Sequence, residues 1–199
     1  MTDQLYFSMW LPEALANWRT RYFEKIVSIV PFSQREQPQS TLLIQAISHT
    51  EPSLLERPFN GPVSPADVNE VLQDYHGDDI AYRFESWWDL WQYNGQDWEL
   101  KPVKIAVSAF GKEFDNGGSL DSAEQEHLRV DFGVDTSFLP DTSLKGSSRL
   151  TESNVKSLLK LVRDIEEALP LECRVLETES GENFAEKLAR QLGGQPLPQ

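Results

Sequence analysis

One cysteine, three histidines and no long apolar run leave several function classes without a footing in this 199-residue chain. Cys173 has no second cysteine to pair with, which excludes an internal disulfide and suits a reducing cytoplasm. His49, His76 and His127 fall on separate elements, and no HxH, HExxH or CxxC spacing links them to further ligands. No metal and no cofactor is therefore expected. GxSxG is absent, and Gly117-Gly118-Ser119 lies among acidic residues with no capped helix behind it, so it reads as a loop tip rather than a phosphate cradle. Nothing approaches the roughly 20 apolar residues of a membrane-spanning helix. The opening MTDQLYFSMWLPEALANW lacks the basic-then-apolar order of a secretory signal. These absences predict a soluble, cytoplasmic protein.

Positive charge is also scarce. Eighteen Lys and Arg face 32 Asp and Glu, for a net charge of −14. Such a surface repels nucleic-acid phosphates and anionic lipid, and it suits a basic partner protein. Homo-oligomerisation remains compatible with it.

What the chain has in abundance is aromatic residues in its middle. Asp78 to Phe110 reads DDIAYRFESWWDLWQYNGQDWELKPVKIAVSAF and holds four of the six tryptophans. Asn94-Gly95 tolerates the positive φ angles of a tight hairpin turn. Before it, Tyr82, Phe84, Trp88 and Leu90 share one parity, opposite Arg83, Glu85, Trp87, Asp89 and Trp91. Side chains alternate across a strand, so the first set is expected on the core and the second on a mixed, wetter face. After the turn, Val103, Ile105, Val107 and Ala109 form the second strand's apolar face, and Pro102 marks a bulge or edge near its start. A Trp-rich hairpin at the centre of a sheet is the result. Its tryptophans suit core packing, while Trp87 and Trp91, beside Arg83, also suit a binding surface.

Around the hairpin, Leu5–Leu11 predicts a strand, and Leu15, Trp18, Tyr22, Ile26 and Ile29 an amphipathic helix stopped by Pro31. Thr41–Ser48 predicts a buried strand, and His49–Val63 a Pro-rich loop packed down on the body. Ser64 caps a second helix that ends at Gly77. Glu126–Asp135 alternates cleanly as a strand. Thr151 reads as the N-cap of a third helix ending before Pro170; a strand at Cys173–Leu176 and a last helix capped by Ser180 follow.

The fold expected is α+β: a two-layer sandwich with a mixed, mostly antiparallel sheet of about six strands, helices mainly on one face, loosely ferredoxin-like. Residues 1–192 are expected to form one domain and 193–199 a disordered tail.

The best polar constellation is His127, Arg129 and Asp131. In a regular strand they project on one face, about 6.5–7 Å apart. Imidazole, guanidinium and carboxylate together suit anion binding or acid–base chemistry, and equally suit a solvated strand face. Two functions stay open. The favoured one is a non-enzymatic protein-interaction module, resembling small immunity or antitoxin inhibitors in size and charge alone. The other is a small enzyme or small-ligand binder that uses the His127-Arg129-Asp131 face.

Overall fold

The computed structural model describes residues 2–12, 18–33, 35, 39–61, 63–117 and 125–193. Its elements in chain order are β1 (Gln4–Trp10), α1 (Trp18–Ile29), β2 (Ser40–Ala46), β3 (Leu55–Phe59), α2 (Pro65–Leu72), β4 (Ile80–Tyr93) and β5 (Trp98–Phe110). There follow β6 (Leu128–Val134), a 3-10 turn (Asp135–Ser137), α3 (Ser147–Ala168), β7 (Cys173–Thr178) and α4 (Phe184–Gln191). Residues 194–199, most of the expected tail, lie outside the described residues.

The strands form one sheet in the order β3-β2-β4-β5-β6-β1-β7, and every neighbouring pair is antiparallel. The Trp-rich hairpin lies near its middle, with Ala81↔Phe110 through Tyr93↔Trp98 in continuous register. The expected parity holds. Tyr82, Phe84, Trp88 and Leu90 are buried, together with Ile105, Val107 and Ala109 across the ladder. β6 covers β5 only over Ala106–Ala109, so Pro102 sits on a stretch with a free edge, where its missing N–H is tolerated.

All four helices contribute to one core on one face of the sheet. Phe23 and Ile26 of α1, Val68 and Leu72 of α2, Leu158 and Ile165 of α3, and Phe184 of α4 belong to a single cluster with the buried strand residues. The architecture is a two-layer α+β sandwich. Among the described residues no helix is long and apolar enough to cross a membrane.

Four boundaries differ from the sequence reading, the first being α2, which ends at Leu72 with Gln73 as its C-cap rather than at Gly77. Leu55–Phe59 is a strand on the sheet's edge rather than loop; it carries Pro58 and is mostly exposed, so no burial pattern marks it. α3 begins at Ser147 after Gly146, whose φ of 82° is the left-handed form glycine adopts without strain. Thr151 is thus inside the helix, with its hydroxyl donating to Ser147 O at 2.8 Å. Asn183, not Ser180, caps α4, its side chain accepting from the N–H groups of Ala185 and Glu186.

Candidate functional site

With the helices gathered on one side, the other face of the sheet is left to its own side chains. Register sets them in rows across the strands: Leu43, Arg83, Ser108, Arg129 and Ser8 in one, Thr41, Glu85, Ala106, Asp131 and Tyr6 in the next. Ser8, Ala106 and Ser108 are small and buried, so they form a floor over which the long side chains lie flat. This explains why Arg83, Glu85 and Asp131 are three-quarters buried or more with no helix above them among the described residues.

Charges on this face satisfy one another. Arg83 Nε lies 2.9 Å from Glu85 Oε1, and its Nη2 lies 3.3 Å from Asp131 Oδ2. Lys104 Nζ reaches Glu85 Oε2 at 2.6 Å. Burial pushes the Glu85 carboxyl upward, and the hydrogen bonds from Lys104 and Arg83 outweigh it, holding the group below the usual carboxylate range. Arg129 stacks between two rings, with its guanidinium carbon 4.9 Å from the Tyr6 centroid and 5.5 Å from that of Phe110. It also pairs with Glu126, which is only 5% exposed.

Of the six residues singled out in the sequence, Arg83, Arg129 and Asp131 do come together here. Trp87 stands on the same parity, directly opposite Lys104. Trp91 lies farther along the hairpin, where it lines a cleft of about 790 Å³ with Trp98, Pro140, Lys187 and Arg190. Both tryptophans are half-buried rather than presented to solvent. His127 leaves the group. It precedes β6, its Nδ1 accepts the Leu11 N–H at 2.9 Å, and its ring tilts over Trp18 of α1 at 4.9 Å. Its backbone still bonds both neighbouring strands, donating to Met9 O at 3.0 Å and accepting from Phe110 N at 2.9 Å. But it stands at the strand's entrance, just before Leu128, and its ring turns away from Arg129 and Asp131.

His127 instead lines a cleft of about 740 Å³ at the sheet end, with Leu11, Pro12, Trp18, Lys112 and Glu126. Glu126 thus links this cleft to Arg129 on the open face. Its Oε1 takes Asn116 Nδ2 at 3.1 Å, while its buried Oε2 has no hydrogen-bond partner among the described residues. All three histidines gather at this end, where β1, β2 and β5 finish and β4 and β6 start. Among the described residues they assemble no metal-binding group of His, Cys, Asp and Glu.

A second feature of this end had no counterpart in the sequence reading. Ile47, just after β2, has φ of 71°, the left-handed region that a β-branched residue enters at a cost of about 1–3 kcal/mol. Two backbone bonds hold it there. Its N–H donates to Asp79 O and its carbonyl accepts from Asp115 N, both at 2.7 Å. The side chain gains no burial in return and is 60% exposed. Leu54, at the other end of the same loop, is 54% exposed. Between them His49 pins the loop, with its ring edge-on to Phe114 at 5.0 Å and to Phe110 at 5.8 Å. Burial, reinforced by Arg83 and Arg129, holds the His49 imidazole below its ordinary pKa, so it packs here as the neutral ring.

Comparison with known proteins adds nothing to this geometry: the chain matches no family model, no curated protein and no solved structure.

Proposed function

We propose that this chain is a non-catalytic binding protein of the cytoplasm that recognises a basic protein partner. The observation that carries the reading is where its negative charge sits. Residues 51–100 contain eleven Asp and Glu against two Arg, or −9; the rest of the chain supplies −14 − (−9) = −5. Glu51, Glu56, Glu70, Asp74 and Asp78, on β3, α2 and the adjoining loops, are exposed in the fold. An exposed acidic surface of this kind steers a positively charged protein into encounter and repels nucleic acid and anionic membrane. The charged groups of the open sheet face are already paired to one another, which suits a rigid scaffold better than a reacting centre. Inhibition of a basic enzyme, as immunity proteins and antitoxins perform it, is the simplest role with this chemistry.

The test is co-purification from the source cell at low salt, beside a Glu56→Gln, Glu70→Gln, Asp74→Asn, Asp78→Asn variant. The wild type is expected to retain a basic protein that salt releases, and the variant to lose it. Retention of no basic protein, or equal retention by both, would sink the reading.

A second reading is favoured by the buried Glu126 Oε2, which finds no hydrogen-bond partner among the described residues and lies in the wall of the His127 cleft. A small ligand bearing an N–H donor would suit that carboxylate, with Trp18 as an apolar wall. Thermal-shift screening of amines against wild type and Glu126→Gln decides this alternative; a concentration-dependent rise in the wild type alone would support it.

A further inference from the structure

We infer that the loop joining β2 to β3 is where the partner seats, with Ile47 and Leu54 as its apolar anchors; this rests on the binding role proposed above. Nothing in the fold requires isoleucine at position 47. Its φ of 71° is one that glycine adopts without strain, and its side chain is 60% exposed. The chain therefore holds a large apolar group in an unfavourable conformation and keeps it in water. A residue that works against stability without a packing reward points to function.

The loop is also built to be rigid. The two backbone bonds of Ile47, the His49 ring against Phe110 and Phe114, and the Leu54 N–H to Ile44 O at 2.8 Å fix both of its ends. A rigid anchor loses little freedom on docking, which is how a few residues come to dominate an interface.

Its surroundings select the occupant. Asp79 and Asp115 supply the backbone partners of Ile47, and exposed Glu51 and Glu56 flank Leu54. Exposed apolar anchors on a loop whose neighbouring residues are mostly acidic fit a protein with an apolar hole rimmed by Lys and Arg. A second copy of this chain would bring the same acidic ring and a further −14, and like charges set against each other disfavour that contact.

The experiment places a photo-crosslinking amino acid at position 54, and separately at Leu159 on the exposed side of α3, in the full chain inside the source cell. The protein joined to position 54 is identified, purified and titrated against wild type, Ile47→Gly and Leu54→Ser. The expected result is a basic protein crosslinked from position 54, bound about tenfold or more weakly by each variant. Ile47→Gly should melt no lower than wild type, which separates lost contact from lost fold. Crosslinking from Leu159 alone, or undiminished binding by Ile47→Gly, would overturn the seat while leaving a basic partner in place. No crosslink from either position, with no basic protein retained in co-purification, would overturn both.

Discussion

Asn154 of α3 binds the backbone of Trp91 in the way a neighbouring strand would. Its Oδ1 accepts the Trp91 N–H and its Nδ2 donates to Trp91 O, both at 2.9 Å, and Nδ2 also reaches Ser137 O at 2.8 Å. The reason lies in the sheet. β2 accompanies β4 only from Ile80 to Glu85; beyond it Phe32 bridges Trp88 and the Ser33 N–H donates to Trp87 O at 2.7 Å, and among the described residues no strand on that edge reaches Trp91. A single carboxamide, itself 2% exposed, supplies the missing donor and acceptor.

Replacement of Asn154 is therefore expected to be severe for a residue that carries so little apolar surface. Asn154→Leu leaves the N–H of Trp91 and the carbonyl of Ser137 without the Asn154 carboxamide, while Trp91 O keeps Gln92 Nε2 at 3.1 Å. Each orphaned group costs about 1–3 kcal/mol, so the loss should exceed about 2 kcal/mol in urea unfolding. Asn154→Asp keeps the acceptor and loses the donor, and it should also destabilise. A change below about 0.5 kcal/mol for either would mean that the β4 edge finds another partner.

Arg129 and Glu126 give a second expectation, which differs from the neutrality expected of a merely solvated strand face. Arg129→Ser strips the cation from a carboxylate that is 5% exposed and removes the stacking on Tyr6 and Phe110. Breaking one side of a buried pair costs about 3–5 kcal/mol; with Arg129 still 22% exposed, about 2–3 kcal/mol is expected here. Adding Glu126→Gln should recover part of that loss in a double-mutant cycle. Purely additive effects would show that the pair contributes nothing as a pair.

The third expectation is pH dependence from Lys187, whose Nζ lies 2.8 Å from Asp3 Oδ2 and 2.6 Å from the fully buried Asp135 Oδ2. Hydrogen bonds from Lys187 and Ser180 hold the Asp3 carboxyl below its ordinary pKa. Its contribution is present above about pH 4 and is lost as pH falls through the lowered folded value. Burial draws the Lys187 ammonium down, but Asp135 and Asp3 outweigh it and the net shift is upward. That contribution is complete below about pH 10.4 and is lost as pH rises through the raised value. Lys187→Met should therefore flatten both the acid and the alkaline limbs of a stability-against-pH curve. An alkaline limb unchanged by the substitution would contradict the assignment.

Much of the fold was legible because alternation records burial. Tyr82, Phe84, Trp88 and Leu90 could face only one way in a strand whose other parity held Arg83, Glu85 and Asp89. What stayed hidden depends on backbone geometry rather than on side-chain pattern. His127 falls on the parity of Arg129, yet the chain enters β6 only after it, and the imidazole turns to Trp18. β3 pairs with β2 through its backbone while exposing most of its side chains, so its composition resembles a loop. Thr151 satisfies every rule for a cap, but the preceding turn had already started the helix at Ser147. Ile47 is the extreme case, since no neighbouring residue type signals its left-handed φ.

β1 lies between β6 and β7, pairing Phe7 with Val130 on one side and with Leu176 on the other. Of the seven strands of this sheet, β1 is translated before the others, and both of its neighbours are translated last. Until β6 arrives, Leu5, Phe7 and Met9 have no sheet to join, and until β7 arrives one side of β1 is a raw, apolar-bearing edge. Contacts so distant in sequence form slowly and leave nascent chains open to wrong pairings. A ribosome stalled anywhere before Cys173 would hold an unfinished sheet whose exposed border is β1, the strand that β7 covers in the finished fold.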